Sequence, residues 1–448
     1  MASAAPLSDE MEFRRIEDVG PAWQTVALSN SYNSAVPVCI YVTASTASPS
    51  ALPRIRNIQS DSFELKIQEM TGGSNPVDNP TPGTVHCVVA ETGLHTLADG
   101  RTFEAFTVLS DRTTGSANGG WNVADFENVS ASVSGSYTSP VALVGLVTSN
   151  DPQPTAPFTN DCDTRGNPPF FSGQADGICV GKHTGQISTT RMNETIGVII
   201  AEAGSGTSND IFYNFFRGAD SPNGIGTNSN TGYSVSADFD SATATQGGED
   251  GGQGGWATLV GSDPLANGFI RISVDEEVVA GDTSRTHVNE IFDVFAFRDD
   301  RPVELEAEKT QAVWDPSGVG AYSLPGQDIA YTLTVRNASS GPTDADTIFL
   351  VDRIPDEMEF YNGDFDPFDA DPAPVLFSDN ASGLTFSYSS DVGYSASPGR
   401  PSGMAQCTYT PAPGYDPNVR HVCLAPGGAM AAGTPSPEAS FSFRGRIR

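Results

Sequence analysis

The sequence predicts an all-β, multidomain protein built of two-sheet β-sandwiches. Three observations support this fold class. The apolar segments are short and rich in β-branched residues, and several alternate between apolar and polar positions. The 448 residues include 46 Gly and 32 Pro. The combined share of these two residue types exceeds the average of about 12%, which indicates many turns. No segment shows helical periodicity over more than about two turns.

Six segments are predicted as strands, and clusters of Asn, Gly, Asp, Pro and Ser separate them. The segments that alternate, as strands with one buried face do, are 63–68 (FELKIQ), 329–335 (IAYTLTV) and 441–447 (FSFRGRI). The short apolar runs, which suit strands of a sandwich core, are 85–90 (VHCVVA), 141–147 (VALVGLV) and 196–201 (IGVIIA).

The formal net charge is −32, from 23 Lys+Arg and 55 Asp+Glu. This balance argues against a nucleic-acid binder, because phosphate contacts need clustered Lys and Arg. Only Lys66, Lys182 and Lys309 are lysines, so no polybasic segment is available for an anionic membrane surface. No run of about 18 apolar residues occurs, so we predict no membrane span.

The first residues, MASAAP, lack the basic region and the apolar stretch of a signal peptide. We expect either a mature end left after cleavage between small residues or an ordinary Met start. Residues 1–11 form an N-terminal arm without a core of its own. Termini are ordered when they are tied down, so an ordered arm would dock on its own chain or on the next subunit.

The six cysteines fall into three local pairs, which are Cys39 with Cys87, Cys162 with Cys179, and Cys407 with Cys423. None forms a CxxC pair, and no His lies at zinc-ligand spacing from them. We predict three disulfides within domains and therefore a secreted, extracellular protein. Six buried free thiols are the alternative.

Internal repetition is the most informative feature of the first 300 residues. In the first echo, Trp23, Tyr32 and VPV (36–38) match Trp121, Tyr137 and PV (140–141). In the second, VVAETG (88–93) matches IIAEAG (199–204), and in the third, NETIGVI (193–199) matches NEIFDVF (289–295). The main offsets of roughly 100 to 110 residues match one small domain. We predict two related jelly-roll or lectin-like sandwich units, 12–119 and 120–300, the second with longer loops.

A charged junction that ends in proline, 297–302 (FRDDRP), separates these units from a C-terminal domain, 301–448. The strand-like segment 303–310 (VELEAEKT) follows it. Residues 247–255 (GGEDGGQGG) are predicted to form a long mobile loop inside the second unit, with binding as the alternative role.

The C-terminal third resembles the Ig-like conserved repeat of bacterial surface and secreted proteins known as domain of unknown function 11. Residues 324–337 (LPGQDIAYTLTVRN) and 352–355 (DRIP) carry the resemblance. Residues 382–388, 414–421 and 441–448 resemble an extended form of the repeat. The resemblance implies an Ig-like fold and a cell-surface setting but no chemistry. The usual member has no cysteine here, so Cys407 and Cys423 look like a local addition.

The first 300 residues resemble the H-type lectin kind of β-sandwich. The matching features are Trp-x-x-Val at 23–26, Tyr-x-x-x-Val-Pro-Val at 32–38, and a strand from Arg54 to Leu65. The resemblance implies six-stranded sandwiches around a core tryptophan. It assigns no sugar-contacting residue to a definite position in this sequence.

We predict no catalytic site and no cofactor beyond a candidate cation. No Gly-x-Ser-x-Gly elbow occurs, and His86 lies inside a strand-like run where a structural role is expected. A surface hydrolase is therefore the third-ranked function. Four carboxylates, Asp364, Asp366, Asp369 and Asp371, form a candidate Ca²⁺ site, since Ca²⁺ takes several oxygen ligands. We favour the alternative of a solvated acidic loop, because the spacing lacks the Gly and Glu of an EF-hand.

Assembly and carbohydrate binding are the two leading function classes. Sheet edges can be completed by a strand from a neighbour, and a head-to-tail contact that does not close forms a filament. We predict a secreted, non-enzymatic structural protein of a bacterial surface that self-assembles into a filament or coat. The alternative is a secreted, glycan-binding adhesin in which Trp121 and Trp256, both preceded by Gly-Gly, stack on sugars. For these two tryptophans we favour positions in the sandwich core, because the repeat makes Trp121 equivalent to Trp23.

Overall fold

The structure is a computed structural model that describes residues 3–45, 47–71, 77–115, 121, 125–162, 167–169, 177–187, 191–227, 231–279, 284–301, 303–315, 322–339, 341–366, 373–432 and 436–448. It contains two compact units, Ala2–Asp300 and Arg301–Arg448. In the described part, the regular elements other than strands are α1 (Tyr388–Asp391) and two 3₁₀ turns, Ser130–Ser132 and Met404–Gln406. No described helix is long and apolar enough to cross a membrane. The predicted all-β, multidomain sandwich class is confirmed.

The larger unit, Ala2–Asp300, contains three copies of one seven-stranded motif. The first copy comprises β1 (Ser3–Ser8), β2 (Met11–Val19), β3 (Gln24–Ala27), β4 (Ala35–Thr43), β5 (Leu52–Arg56), β6 (Ser62–Gln68) and β7 (Gly83–Glu91). The second comprises β8 (Gly93–Thr96), β9 (Thr102–Ser110), β10 (Glu127–Asn128), β11 (Pro140–Leu146), β12 (Ala156–Asn160), β13 (Cys179–His183) and β14 (Glu194–Glu202). The third comprises β15 (Gly204–Ser208), β16 (Ile211–Arg217), β17 (Gly232–Ser234), β18 (Ser241–Gln246), β19 (Trp256–Val260), β20 (Phe269–Asp275) and β21 (Phe292–Asp299).

Each copy is a two-layer sandwich with the same strand order. Its first, second, seventh and fourth strands pair in that order in an antiparallel four-stranded layer. Its third, sixth and fifth strands form the opposing three-stranded layer. In the third copy this second layer also joins the first copy, because β19 pairs in parallel with β4. The repetition in the sequence therefore reflects a repeated topology.

The central strand of each four-stranded layer is buried on both faces. In β7, Val85, Cys87 and Val89 face the three-stranded layer of their own copy, whereas Val88 and Ala90 face a core shared by all three copies. The side chains of β14 and β21 divide between two cores in the same alternating way. Two-sided burial explains why these strands are continuously apolar in the sequence.

The shared core is formed by one face of each four-stranded layer. Phe13 of the first copy stacks on Phe297 of the third, with 5.1 Å between ring centroids. Leu143 and Ile199 of the second copy belong to the same cluster. Each four-stranded layer thus has a second apolar face that its own copy leaves uncovered.

The structure divides this region differently from the predicted units 12–119 and 120–300. β8 and β9 fall in the predicted first unit, but β9 pairs with β14 of the predicted second unit. The copies change over at Thr92 and Ala203, where Gly93 and Gly204 follow with φ of 113° and 130°. Glycine adopts such positive φ values readily, so the two echoed segments that end in glycine mark the true boundaries.

The described part of the predicted N-terminal arm, residues 3–11, belongs to the first copy. β1 pairs with β2, from Ser3 opposite Arg15 to Ser8 opposite Met11. The side chains of Ala5 and Leu7 are buried in the shared core. The arm therefore docks on its own chain, because its apolar side chains help to fill that core.

The smaller unit, Arg301–Arg448, is a sandwich with another strand order. Its strands are β22 (Leu305–Val313), β23 (Asp328–Asn337), β24 (Leu350–Arg353), β25 (Met358–Asn362), β26 (Leu376–Ser378), β27 (Val392–Ser395), β28 (Gly414–Asp416), β29 (His421–Leu424) and β30 (Glu438–Ile447). One sheet runs β22-β23-β30-β25-β28, with β26 also paired to β30, and the other runs β24-β29-β27. Phe360, Phe441 and Phe443 of the first sheet share a core with Val422 and Leu424 of the second.

Candidate functional site

All six cysteines form the predicted disulfides. Cys39–Cys87 joins directly opposite positions of β4 and β7. The other two bonds are Cys162–Cys179, at β13, and Cys407–Cys423, at β29. Each bond lies within one sandwich, as expected for a protein of an oxidising compartment.

The predicted Ca²⁺ ligands are only partly described. Asp369 and Asp371 lie outside the described residues. The backbone carbonyl of Asp364 accepts a hydrogen bond from Nη2 of Arg444 at 2.9 Å. The Arg444 guanidinium lies over the ring of Tyr361. The ion pair of Arg444 is with Asp328, at 3.6 Å, so its contact with Asp364 is to the backbone and not to the carboxylate. The Ca²⁺ site stays a prediction.

The two tryptophans that would contact sugars in the adhesin alternative pack against the protein. Trp256, the first residue of β19, is 4% exposed. Trp121 is half-buried and lies 5.5 Å and 5.0 Å from Phe158 and His183, measured between ring centroids. Its Nε1–H donates to the carbonyl oxygen of Gly252. Trp256 is therefore a core residue, and the described contacts of Trp121 are with the protein itself.

The Gly-rich loop 247–255 packs against the third and second copies. The backbone N–H of Gly248 donates to the carbonyl oxygen of Thr159, and that of Glu249 donates to Oδ1 of Asn160. A Cβ on Gly251 would overlap the imidazole of His287 and lie 2.9 Å from Oε1 of Glu290. Glycine at 251 therefore permits a close approach between the loop and these two side chains.

Three side chains that can bind a metal meet under this loop. Glu249 comes from the loop, and His287 and Glu290 come from the segment before β21. One donor atom of each lies within 4.8 Å of the others, and all three residues are buried. Nδ1 of His287 is 3.6 Å from Oε1 of Glu290 and 3.1 Å from the carbonyl oxygen of Val288. We call Glu249, His287 and Glu290 the Glu-His-Glu cluster.

Glu290 is held by the backbone of the loop that it faces. Its Oε1 accepts the N–H of Gly251 at 2.8 Å, and its Oε2 accepts the N–H of Asp250 at 3.2 Å. Burial raises the pKa of Glu290 to about 8, and these two hydrogen bonds oppose the rise. The carboxylate therefore has fixed geometry in a poorly solvated place.

The second copy holds an equivalent carboxylate with a different neighbour. Glu194 corresponds to Glu290 in the echo between 193–199 and 289–295. It accepts the N–H groups of Asn150 and Asp151, each at 2.9 Å, from the loop after β11. Arg54 lies 3.8 Å from this carboxylate. At Glu290, the basic partner among the described residues is His287, and a second carboxylate completes the cluster.

The cluster offers one imidazole nitrogen and two carboxylates, a donor set suited to a divalent metal ion. No local motif in the sequence marks the Glu-His-Glu cluster, because the loop and the segment before β21 meet only in the folded sandwich. Two signals were available in the sequence: the echo that equates Glu290 with Glu194, and the acidic pair inside the Gly-rich loop.

A surface pocket of about 500 Å³ opens on the smaller unit. Phe377, Phe386 and Tyr388 line it together with Ser387 and Ser389. The rings of Phe377 and Phe386 stack at 5.1 Å. Aromatic faces beside hydroxyl groups suit a small ligand with apolar faces and polar edges.

No family model matches the chain, so the resemblances to domain of unknown function 11 and to H-type lectins stay predictions. The chain is similar to halomucin of Haloquadratum walsbyi (strain DSM 16790 / HBSQ001), with 27% identity over 275 residues. The match covers 60% of this chain but only 3% of the length of halomucin.

Proposed function

We propose that this chain is a non-enzymatic structural module of a secreted, cell-surface protein, and that it pairs with neighbouring copies through a sheet edge. The disulfide-linked sandwiches support the extracellular setting. The similarity to halomucin supports a surface role. Because the chain matches only 3% of that relative, the proposal concerns the module alone.

The observation that carries the proposal is the exposure of β22. This strand is the outermost strand of its sheet and pairs with β23 from Leu305 opposite Asn337 to Val313 opposite Ile329. Every residue of β22 is exposed except Val313, which is half-buried. A strand exposed on both faces contributes little to a core. The outer backbone edge of β22 pairs with no other described strand, and an edge of this kind can template a partner strand.

The pairing register identifies the outward-facing backbone groups. The N–H of Trp314 donates to the carbonyl oxygen of Asp328, and the N–H of Ala338 donates to that of Glu304. Antiparallel ladders alternate, so the even-numbered residues of β22 bond to β23. The backbone groups of Leu305, Ala307, Lys309, Gln311 and Val313 then point away from the sheet. They form the edge offered to a neighbour.

A proline scan of this edge tests the proposal. Ala307→Pro and Gln311→Pro each remove one outward N–H without removing a bond to β23. Ala307→Ser and Gln311→Thr keep the N–H groups and serve as matched controls. We expect the unmodified chain and the controls to form polymers in negative-stain micrographs and sedimentation runs as protein and salt concentrations rise. The proline variants should stay as isolated particles.

Two results would contradict the proposal: isolated particles of the unmodified chain at high protein and salt concentrations, or equal assembly of the proline variants and their controls. Circular dichroism of each variant checks that the sandwich remains folded.

Carbohydrate binding is the second candidate, favoured by the aromatic pocket of the smaller unit. A glycan array on the unmodified chain and on Phe386→Ala tests it, with Phe269→Ala, in the larger unit, as a control. Binding that Phe386→Ala abolishes and the control retains would support an adhesin, and an array without signal would remove this candidate.

A further inference from the structure

The Glu-His-Glu cluster is a buried site with more acidic than basic side chains. Glu249 and Glu290 are 0% and 2% exposed, and their donor atoms lie within 4.8 Å of each other and of a His287 nitrogen. Two carboxylates at this separation in a poorly solvated site repel each other unless a proton or a cation lies between them. A site of this kind is explained most directly by a bound cation.

The second copy has a carboxylate in the equivalent position but a different charged neighbour. Glu194 and Glu290 occupy equivalent positions, and both accept two backbone N–H groups from the preceding loop. Glu194 has the guanidinium of Arg54 at 3.8 Å. The third copy instead brings a second carboxylate, Glu249, and an imidazole to this place. The repeat therefore retains the carboxylate but replaces a fixed cation with metal-ligating groups.

Two buried amides beside the cluster point to a ligand as well. Gln246 is 1% exposed and lies beside Glu290, whose pKa it lowers. Among the described residues, neither amide atom of Gln246 has a hydrogen-bond partner in standard geometry. Asn160, 0% exposed, binds the backbone of Glu249 through Oδ1, and within the described part of the chain its Nδ2 has no hydrogen-bond partner. Amides in these places can bind water molecules held by a metal ion.

We propose that Glu249, His287 and Glu290 bind one divalent transition-metal ion of the Zn²⁺ or Mn²⁺ kind. An imidazole with carboxylates suits these ions, whereas Ca²⁺ takes six to eight oxygen ligands. Nδ1 of His287 lies 3.1 Å from the carbonyl oxygen of Val288, so Nδ1–H donates there and Nε2 keeps its lone pair for the metal. Protein metal sites commonly orient a histidine ligand in this way.

The ion would connect the Gly-rich loop to the segment before β21, two parts of the third copy. This role adds a metal centre to the proposed surface module and does not depend on self-assembly. Failure of one proposal therefore leaves the other intact.

Metal analysis of the full chain tests the site. Protein stripped with a chelator and dialysed against Zn²⁺ should retain one tightly bound ion per chain and melt at a higher temperature than the stripped protein. Glu249→Gln and His287→Gln should weaken Zn²⁺ binding by on the order of 100-fold or more, since loss of even an outer-shell partner costs 10- to 100-fold. The control Glu17→Gln, at a carboxylate 39% exposed on the surface of the same unit, should bind as the unmodified chain does.

Equal Zn²⁺ retention by the unmodified chain and by Glu249→Gln would overturn the proposal, because it would assign the ion to the acidic surface. Tighter binding of Ca²⁺ than of Zn²⁺ would overturn the choice of metal. Zinc-edge X-ray absorption on the unmodified chain covers the case in which the variants fail to fold. It should show a nitrogen and oxygen shell that includes one imidazole at about 2.0–2.1 Å, and a shell without imidazole would contradict the site.

Discussion

Arg54 and Glu194 form a buried ion pair in the larger unit, each 1% exposed at its side chain. Arg54 also donates to Oγ of Ser149 at 2.6 Å and to the carbonyl oxygen of Asp151 at 2.7 Å. It thus links β5 of the first copy to the loop after β11 of the second. A buried pair of this kind stabilises little by itself, but losing one partner leaves an uncompensated charge.

We expect Arg54→Ala to lower the free energy of unfolding of the larger unit by about 3–5 kcal/mol. Arg15→Ala, which breaks an exposed pair with Glu17, should cost less than about 1 kcal/mol. Urea titrations followed by fluorescence measure both values. Equal effects of the two substitutions would show that burial of the Arg54 pair is unimportant.

His86 makes the stability of the larger unit depend on pH. It lies in β7, with Nδ1 3.0 Å from Oγ of Ser241 and 3.4 Å from the N–H of Ala242. Burial lowers the pKa of His86 to about 3, and the charge of Arg15 lowers it further. The folded protein therefore keeps this imidazole neutral at pH values where the unfolded chain protonates it.

Stability from a neutral His86 is fully present above the unfolded pKa of about 6.5 and is lost as the pH falls from there toward 3. His86 should contribute about 1.4 kcal/mol per pH unit to the slope of the unfolding free energy in this window. His86→Asn should reduce the slope of the unfolding free energy against pH, measured by urea titration at pH 4 to 7. Burial also lowers the pKa of His183 to about 3, but His183 contributes equally to the slopes of the variant and the unmodified chain. An unchanged slope would contradict this assignment.

At the scale of single elements, the Cys39–Cys87 disulfide links β4 and β7, two paired strands of the first copy's four-stranded layer. The two residues are directly opposite in the β4–β7 ladder and 48 residues apart in the chain. A crosslink over such a long loop restricts the unfolded chain more than a short one does. Its removal should therefore act mainly on the larger unit.

The double substitution Cys39→Ala/Cys87→Ala should lower the unfolding free energy of the larger unit by about 2–4 kcal/mol. Cys407→Ala/Cys423→Ala, a bond of the smaller unit with 16 residues of separation, is the control and should leave that transition unchanged. Calorimetry separates the transitions, and mass spectrometry after alkylation should find no reactive thiol before reduction. Six reactive thiols in native protein would contradict the extracellular setting.

For the whole molecule, the shared core joins the three copies into one folding unit. Phe13, Val38 and Val88 of the first copy face this core together with Leu143 of the second and Phe297 of the third. A single copy would expose one apolar face of its four-stranded layer. By contrast, the smaller unit has a core of its own, with Phe360 and Phe441.

We expect a fragment of residues 3–91 to lack a cooperative unfolding transition, because half of its apolar strand faces would be exposed to water. A fragment of residues 301–448 should fold and serves as the positive control. Two-dimensional NMR spectra of both fragments make the comparison. Dispersed signals from residues 3–91 would show that each copy is an independent domain.

The net charge of −32 also acts on the whole molecule. Like charges repel across the folded surface, and the Debye length falls from about 10 Å at 0.1 M salt to about 3 Å at 1 M. The melting temperature should therefore rise when KCl increases from 0.05 M to 1 M, as calorimetry can measure. A flat or falling curve would mean that local ion pairs, and not net repulsion, dominate the electrostatics.

The sequence alone was sufficient for the fold class, for the most apolar or most regularly alternating strands, and for the cysteine pairs. Runs such as 85–90 and 196–201 predict strands because apolar periodicity depends only on which side chains must be buried. The local spacing of the cysteines likewise indicated the three disulfides. These features are local, or follow from composition, and so can be read directly from the chain.

Only the tertiary structure decided the number of copies, their boundaries and the position of the Glu-His-Glu cluster. The echoes showed repetition. However, the sequence of a strand that is buried on both faces does not reveal whether the layer packed on its second face belongs to the same copy or to another one. Glu249 and His287 meet because the loop after β18 folds back over the segment before β21. Such contacts depend on how layers pack, which involves residues distant in sequence and leaves no periodic signal in the chain.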